Sequence, residues 1–447
     1  MPGRLRLRSA ALAGLLALVA PPLPAQEALS PAQARALALA AHRAKDGPLA
    51  SGLARALLQR DPEDTVARMI LAAAEYASGD FAAAGANARR AYRDAPRGPA
   101  RHDAAMIAAE SAFKRAQIGA ARGWLRRAAY FAPDAAHQSL ALRALHGLEP
   151  MQKLRWSLSF SVRPVSNING GTLTESINFG PYTLPMPAEL QALSGLQTRL
   201  GADLSYRFAE TARSQWTLAA GLDGTVNRLS GSAKERAPGV NGSDYDFWTL
   251  NTALIYRGLP EGWRAPWEGW VSARHDTYGG AALTNRLGLG LAKDFRLAPR
   301  DALRAEVGVE RQHRLDAPER SGTAQSLGLS YAHAGAPGRL RLSGQAIQML
   351  SSAEASAYTG GRIGFGYDLA RPLFGTAFRF DLGLEARDYD TGREDRKLDL
   401  GVSAVLPRVQ YMGFAPEIGA SYSRNRSNHL LYDSREFGLT LGVKSVF

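Results

Sequence analysis

A set of α-helices followed by a 14-stranded antiparallel transmembrane β-barrel is the fold that the sequence predicts, and three observations predict it. Hydrophobic residues repeat with helical spacing up to about Glu149-Pro150 and with period 2 from Lys153 onward. The last fourteen residues, Ser434 to Phe447, place Phe437, Leu439, Leu441, Val443 and Phe447 on one face of a strand and Gly438, Thr440, Gly442 and Lys444 on the other. A half-apolar strand closed by Phe looks like the final strand of a bacterial outer-membrane barrel. The third observation is the leader: Arg4, Arg6 and Arg8 precede an apolar run from Ala10 to Ala20, followed by Pro21, Pro22 and Leu23-Pro24-Ala25.

That leader reads as a signal peptide over 1–25, cut after Ala25, because its apolar run is about half of what a membrane-spanning helix needs. A helical domain over 26–150 and a barrel over 151–447 follow. The chain of 447 residues contains no cysteine, which removes disulfides, thiolate metal sites and lipid attachment at a mature N-terminal Cys. Its formal charge of +13 is spread along the chain rather than gathered into a basic stripe, so no nucleic-acid partner is expected. The excess gives a weak bias toward acidic partners or anionic lipid headgroups.

From Leu29 to Gly147 the sequence is rich in Ala and Arg and contains a repeat. Pro62, Pro96 and Pro133 each follow a helix at intervals of 34 and 37 residues. Within Ala67 to Pro96, Gly79 permits a tight turn, Phe81 opens a second helix, and Ala84, Ala88 and Ala91 leave room for a neighbouring helix. Asp103 to Pro133 repeats the plan with Phe113, Gly119, Trp124 and Ala128, and Ala135 to His146 forms a capping helix. This is similar to tetratricopeptide repeats, whose stacked helix pairs bury a shared face and offer concave surfaces to peptides or proteins.

Fourteen strands are expected near 153–163, 195–208, 213–228, 244–257, 266–277, 281–295, 301–314, 320–333, 338–350, 356–369, 375–388, 394–406, 411–424 and 434–447. Trp156, Leu158, Phe160 and Val162 alternate with Ser157, Ser159, Ser161 and Arg163, and Phe378, Phe380, Leu382 and Leu384 alternate with Arg379, Asp381 and Glu385. A soluble sandwich alternates too. Strand length, an even count, the leader, the Phe terminus and charges of both signs on one face favour the membrane barrel. With both barrel ends in the periplasm, the long connections 164–194, 229–243 and 425–433 fall outside the cell, and the short ones, with Ala298-Pro299, Gly335-Ala336-Pro337 and Arg371-Pro372, fall inside. The helical domain is then periplasmic.

Catalytic chemistry is not expected. The eight histidines show no metal-ligand spacing, no G-x-S-x-G elbow or phosphate loop occurs, and no cofactor is implied. The candidate functional residues are charges on the polar strand faces, which line a lumen: Arg199, Asp203, Arg207, Asp223, Arg304, Glu306, Glu310, Arg379, Asp381, Glu385 and Arg387. They pair across strands or line a translocation path. Trp124, Tyr130 and Phe131 are either a client-binding surface or the core of a repeat.

A leader, a short repeat domain and a 14-stranded barrel, in that order, resemble the surface lipoprotein assembly modifier (Slam) family, the outer-membrane component of type XI secretion. The resemblance is sharpest in Arg155 to Gly171, R-W-S-L-S-F-S-V-R-P-V-S-N-I-N-G-G, and in the Ser194-Gly195 pair that opens the second strand. It implies a translocator that uses no nucleotide or cofactor and moves lipoproteins or soluble client proteins from periplasm to surface. Its implied partners are the client, outer-membrane lipid, a periplasmic chaperone and, during biogenesis, the barrel assembly machinery. Two other readings stand beside it, a polysaccharide-export barrel with periplasmic repeats and a general diffusion porin. Against the export reading, the aromatic residues Trp156, Phe160, Phe378 and Phe380 lie on the apolar face, where they meet lipid rather than sugar.

Overall fold

The structure is a computed structural model that describes residues 29–263, 265–406, 409 and 414–445. The leader and the closing Phe447 lie outside the described residues, as do 411–413 of the expected thirteenth strand.

Seven helices come first: α1 (Pro31–Arg43), α2 (Gly47–Arg60), α3 (Thr65–Ala77), α4 (Phe81–Asp94), α5 (Pro99–Lys114), α6 (Ile118–Tyr130) and α7 (Ala135–Gly147). They pair as hairpins α1/α2, α3/α4 and α5/α6, with α7 against α6. Alanine makes the close stacking possible: Ala84, Ala88 and Ala91 of α4 and Ala104, Ala105 and Ala128 on α5 and α6 are fully buried. Carboxylates start four of the helices, where Asp46, Asp64, Asp80 and Asp134 each accept a backbone N–H of the first turn. The tight turn of each hairpin rests on a residue with positive φ, at Lys45, Gly79 and Ala116. These positions are 34 and 37 apart, as are the prolines. In the third hairpin this corrects the expectation that Gly119 marks the turn, because Gly119 lies inside α6.

All fourteen expected barrel strands are present: β1 (Leu154–Val165), β4 (Gly195–Glu210), β5 (Ser214–Leu229), β6 (Phe247–Gly258), β7 (Trp267–Tyr278), β8 (Ala281–Ala298), β9 (Asp301–Arg314), β10 (Gly322–Ala334), β11 (Gly338–Ser351), β12 (Tyr358–Leu369), β13 (Ala377–Tyr389), β14 (Glu394–Val405), β15 (Phe414–Ser427) and β16 (Ser434–Ser445). Each pairs antiparallel with its neighbours, and β1 meets β16 to close the barrel. The remaining strands, β2 (Ser176–Phe179) and β3 (Tyr182–Pro185), form a hairpin within the β1–β4 connection. A further short helix, α8 (Gly231–Arg236), lies between β5 and β6.

Register carries one face around the whole circuit. Trp156 stands beside Leu204, Leu204 beside Ala220, Leu218 beside Leu254, Val271 beside Leu289, Val307 beside Leu327, Phe365 beside Leu382, Leu382 beside Leu400 and Ile418 beside Leu441. That face points outward and stays bare: Leu158, Leu287 and Ile363 are 67%, 64% and 64% exposed. Leaving so many large apolar side chains in water would cost about 1.5–3 kcal/mol each relative to burial. A closed barrel has no unpaired edge and so can place this face in lipid. Twelve-residue strands rise about 40 Å along their axis, enough to cross the apolar band when tilted by about 45°.

The two ends of the barrel differ. At the end holding the short turns, the outward face carries Trp156, Tyr206, Trp216, Tyr256, Trp267, Phe295, Tyr331, Tyr367 and Phe378. Three of these stack side by side, Trp216 on Tyr256 at 4.8 Å and Tyr256 on Trp267 at 5.1 Å between ring centroids, as in an interfacial aromatic girdle. At the opposite end the outward face carries Arg311, Arg396, Arg424, Arg426 and Arg435. The longest connections, 166–194 and 230–246, sit at that end. The β15–β16 connection, expected over 425–433, shortens to 428–433 because β15 runs on to Ser427. It is no longer than the turn 259–266 at the other end.

Candidate functional site

Chemistry-bearing residues collect in three places: the lumen, the clasp of loops over one mouth, and the junction with the helices. Lumen-facing charges divide by sector. On β7 to β13, Arg304 is a hub that reaches Glu268 at 2.7 Å, Asp294 at 3.3 Å and Glu306 at 3.7 Å. Asp368 lies between Arg341 and Arg379, the latter at 2.5 Å, and Arg341 also faces Asp381 at 3.8 Å. Glu385 holds Arg387 at 2.5 Å, and the Arg387 guanidinium sits 5.2 Å from the Tyr358 ring centre. Glu310 is 3.8 Å from Arg286. A cavity of about 1280 Å³ opens among Asp294, Arg304, Arg341, Arg362, Asp381 and Asp399.

The other sector, β15, β16, β1, β4 and β5, mixes small polar residues with charges, among them Arg163 at 3.6 Å from Glu436 and Lys444 at 3.6 Å from Glu417. Here Asp203 accepts the Ser157 hydroxyl at 2.9 Å and Arg199 donates to Gln197 at 2.9 Å. Asp223 lies opposite Gly201. Arg207, on the same face of β4 as Arg199 and Asp203, lies at the turn end, where it donates to the Pro150 carbonyl and pairs with Glu210 at 3.2 Å. With Arg155 donating to the Glu149 carbonyl at 3.1 Å, it fastens the end of the helical region to the barrel. Burial, with Arg126 close by, depresses the Arg122 guanidinium on α6, and Arg155 adds to this while Glu149 opposes it. A basic cluster therefore marks the junction.

The loop clasp explains the Ser-Asn-Ile-Asn-Gly-Gly run. Asn167 accepts the Gly171 N–H at 2.8 Å and donates to the Gly171 and Arg435 carbonyls. Asn169 donates to the Glu189 and Gln191 carbonyls and accepts the Leu193 N–H at 2.9 Å. A Cβ at Gly171 would lie 2.2 Å from the Gln191 carbonyl oxygen, so only glycine fits there. The Thr172 hydroxyl donates to the Leu430 and Asp433 carbonyls, and Val165, Ile168, Leu193, Leu229, Ala233 and Ala237 pack into one apolar cluster. Three connections are thus joined into a clasp at the end of β1, β5 and β16. Sequence spacing does not reveal such contacts, although the run of Asn and Gly is a signal for side chains that serve loop backbone.

In the helical region Trp124 is half-buried against three alanine-rich core clusters. Its ring meets Tyr92 edge-on at 5.2 Å and lies 4.7 Å from the Arg127 guanidinium. Phe131 contacts Tyr130 at 4.7 Å and Tyr92 at 5.8 Å and is covered by Arg101. These aromatics join α4, α5 and α6. His275 and His313 fall on the outward face near the loop end. Among the described residues no group of three His, Asp or Glu could hold a metal ion.

No protein-family model matches the chain. No curated protein matches it either. Among solved structures, OccK9 (OpdG) of Pseudomonas aeruginosa covers 64% of this chain and 97% of its own at 12% identity and a TM-score of 0.35. OccAB1 of Acinetobacter baumannii covers 66% and 97% at 8% identity and 0.34. OmpT of Vibrio cholerae lacking loop L8, an outer membrane protein, covers 65% and 99% at 11% identity and 0.33. The barrel assignment rests on the strand pairing itself.

Proposed function

We propose that this protein is an outer-membrane translocator that delivers client proteins, lipid-anchored or soluble, from the periplasm to the cell surface. The observation that carries the reading is the junction: an array of helical hairpins is fastened by Arg155 and Arg207 to the turn end of a closed barrel. Stacked hairpins present a protein-sized surface, which a passive pore for small solutes would not use. Placed in the periplasm, that surface would capture a client released by a chaperone and hold it at the barrel mouth. The paired charges around Arg304 and Asp368 would keep the lumen wet without fixing a ligand, so no cofactor or nucleotide enters the scheme. Barrel assembly machinery would insert the protein, and outer-membrane lipid would bathe the bare apolar belt.

The test is to delete the gene, shave intact cells with protease, and identify what is lost from the surface and from the culture fluid. Selective loss of one lipoprotein or secreted protein, with its retention in the periplasm, is the expected result. An unchanged surface proteome with reduced uptake of small solutes would replace this reading by a porin, and reduced extracellular polysaccharide would replace it by an export barrel.

A further inference from the structure

Four arginines stand together on the outward face at the loop end of β14, β15 and β16, and the register sets them against one another. Arg396 of β14 is directly opposite Arg426 of β15, and Arg424 of β15 is directly opposite Arg435 of β16. Like charges opposed across a ladder destabilise it. Arg424 and Arg426 are two residues apart on one strand, about 7 Å, and directly opposed residues have Cα atoms about 5 Å apart. The guanidinium groups of Arg424, Arg426 and Arg435 are therefore rooted closely enough to converge on one point, and cations converge favourably only around an anion.

The chain itself supplies only part of that negative charge. Arg396 is held by Asp388 at 2.6 Å and Glu394 at 3.3 Å, and Arg424 by Asp433. Arg424 also donates to the Asn425 and Ser434 carbonyls at 2.6 and 3.0 Å, which roots it at the base of the β15–β16 connection. The side chains of Arg426 and Arg435 are exposed and have no carboxylate or hydrogen-bond partner among the described residues. Three acids thus serve two of the four arginines, and two positive charges on neighbouring strands are left over.

Immediately below, toward the middle of the strands, the same face is apolar. Leu400 stands beside Tyr422 and Tyr422 beside Phe437, with Leu439 two residues further along β16. Leu400, Phe437 and Leu439 are exposed on the belt that the barrel places in lipid. A free anion makes no use of such a wall, and a folded protein partner does not enter the hydrocarbon. A lipid with a phosphate headgroup fits both levels at once. Arginine suits the boundary because its stem lies along apolar surface while its planar fork takes two phosphate oxygens.

We propose that Arg424, Arg426 and Arg435 form a binding site for the phosphate headgroup of a lipid in the leaflet that the loop end meets, with the acyl chains lying on Tyr422, Phe437 and Leu439. The bound lipid braces the 428–433 connection, since Arg424 stands at its base. Both neighbours grip the same connection: the Thr172 hydroxyl donates to the Leu430 and Asp433 carbonyls, and Asn428 donates to the Gly392 carbonyl and accepts the Glu394 N–H. The site does not depend on what the barrel transports.

The full-length protein in an uncharged detergent can be titrated with lipid A carrying two phosphates, with the same lipid stripped of its phosphates, and with inorganic phosphate alone, reading lipid retained per chain and the unfolding temperature. The phosphorylated lipid should be retained at least tenfold more tightly than the stripped one and should raise the unfolding temperature, while inorganic phosphate at the same concentration does not. Equal retention of the two lipids would leave only acyl contact and overturn the site. An equal rise with inorganic phosphate would replace the lipid by a free anion.

R426Q/R435Q keeps both stems and removes both unpartnered charges. It should lose at least tenfold in affinity for the phosphorylated lipid and, with no lipid present, unfold no earlier than the native chain, because the opposition of Arg426 to Arg396 and of Arg435 to Arg424 is relieved. R311Q, on the outward face of β9 at the same end, should bind as the native chain does. Undiminished retention by R426Q/R435Q, or an equal loss in R311Q, would reduce the site to general surface charge, and earlier unfolding of lipid-free R426Q/R435Q would assign these arginines to the fold instead. The contrast between the two lipids on the native chain decides the matter even where the double variant does not fold.

Discussion

Lys45, Gly79 and Ala116 take φ values of 62°, 87° and 58° at the same point of three successive hairpins. Backbone geometry there is imposed by the repeat, and only one of the three residues suits it. A side chain in this left-handed region costs about 1–2 kcal/mol, partly offset by the greater freedom of an unfolded glycine. Ala116→Gly should therefore stabilise the helical region by about 0.5–1 kcal/mol, and Gly79→Ala should destabilise it by a similar amount. Since nothing lies within 4 Å of a Cβ at Gly79, crowding would not add to that loss. Helical circular dichroism of the full-length protein in detergent, followed through urea unfolding, would read both changes. No shift in either variant would remove backbone strain as the reason for the turn.

Among the elements, α7 depends on a single cap. The Asp134 carboxylate accepts the His137 backbone N–H at 2.9 Å, and that bond, followed by one from the His137 ring, holds its pKa below the ordinary carboxylate range. A depressed acid contributes its stability above its unfolded pKa and loses it as pH falls through the folded one. Fraying of α7 should thus set in below about pH 4. Asp134→Asn keeps the acceptor without the titration, so amide exchange at the start of α7 should respond to acid in the native chain and not in the variant. An equal response in both would mean that another group controls this end.

The strands were legible at this scale because each is half in lipid and half in water, and burial of that kind writes a period of two into the residues. All fourteen were anticipated, with ends displaced by a few residues. Glycine is the sequence signal for a left-handed turn, and it points to Gly119 in the third hairpin, whereas Ala116 adopts that conformation and Gly119 lies inside α6. Arg207 lies on the same face of β4 as Arg199 and Asp203, ahead of the bulge between Arg207 and Ala209, and its bonds at the turn end to Pro150 and Glu210 were not legible in the alternation. The clasp made by Asn167, Asn169 and Thr172 joins residues up to 268 positions apart. No local period encodes such bonds.

For the whole molecule, polarity along the barrel axis decides what the protein could do. Aromatics ring the turn end, outward arginines gather at the loop end on β9 and on β14 to β16, and the helices are fastened to the turn end. A cationic rim matches a leaflet whose headgroups carry phosphate, and a helical array works only on the side from which the client comes. Both arguments support the proposal that the loops lie outside the cell and the helices in the periplasm. A protease-cleavable tag placed after exposed Gly239, between α8 and β6, should then be cut on intact cells. The same tag placed just before Ser30 should be cut only after the outer membrane is permeabilised. Cleavage of both on intact cells would leave the hairpins on the surface, unable to receive anything from the periplasm. The barrel would then have to act as a receptor or a pore, since a translocator needs its capture surface and its exit on opposite sides of one membrane.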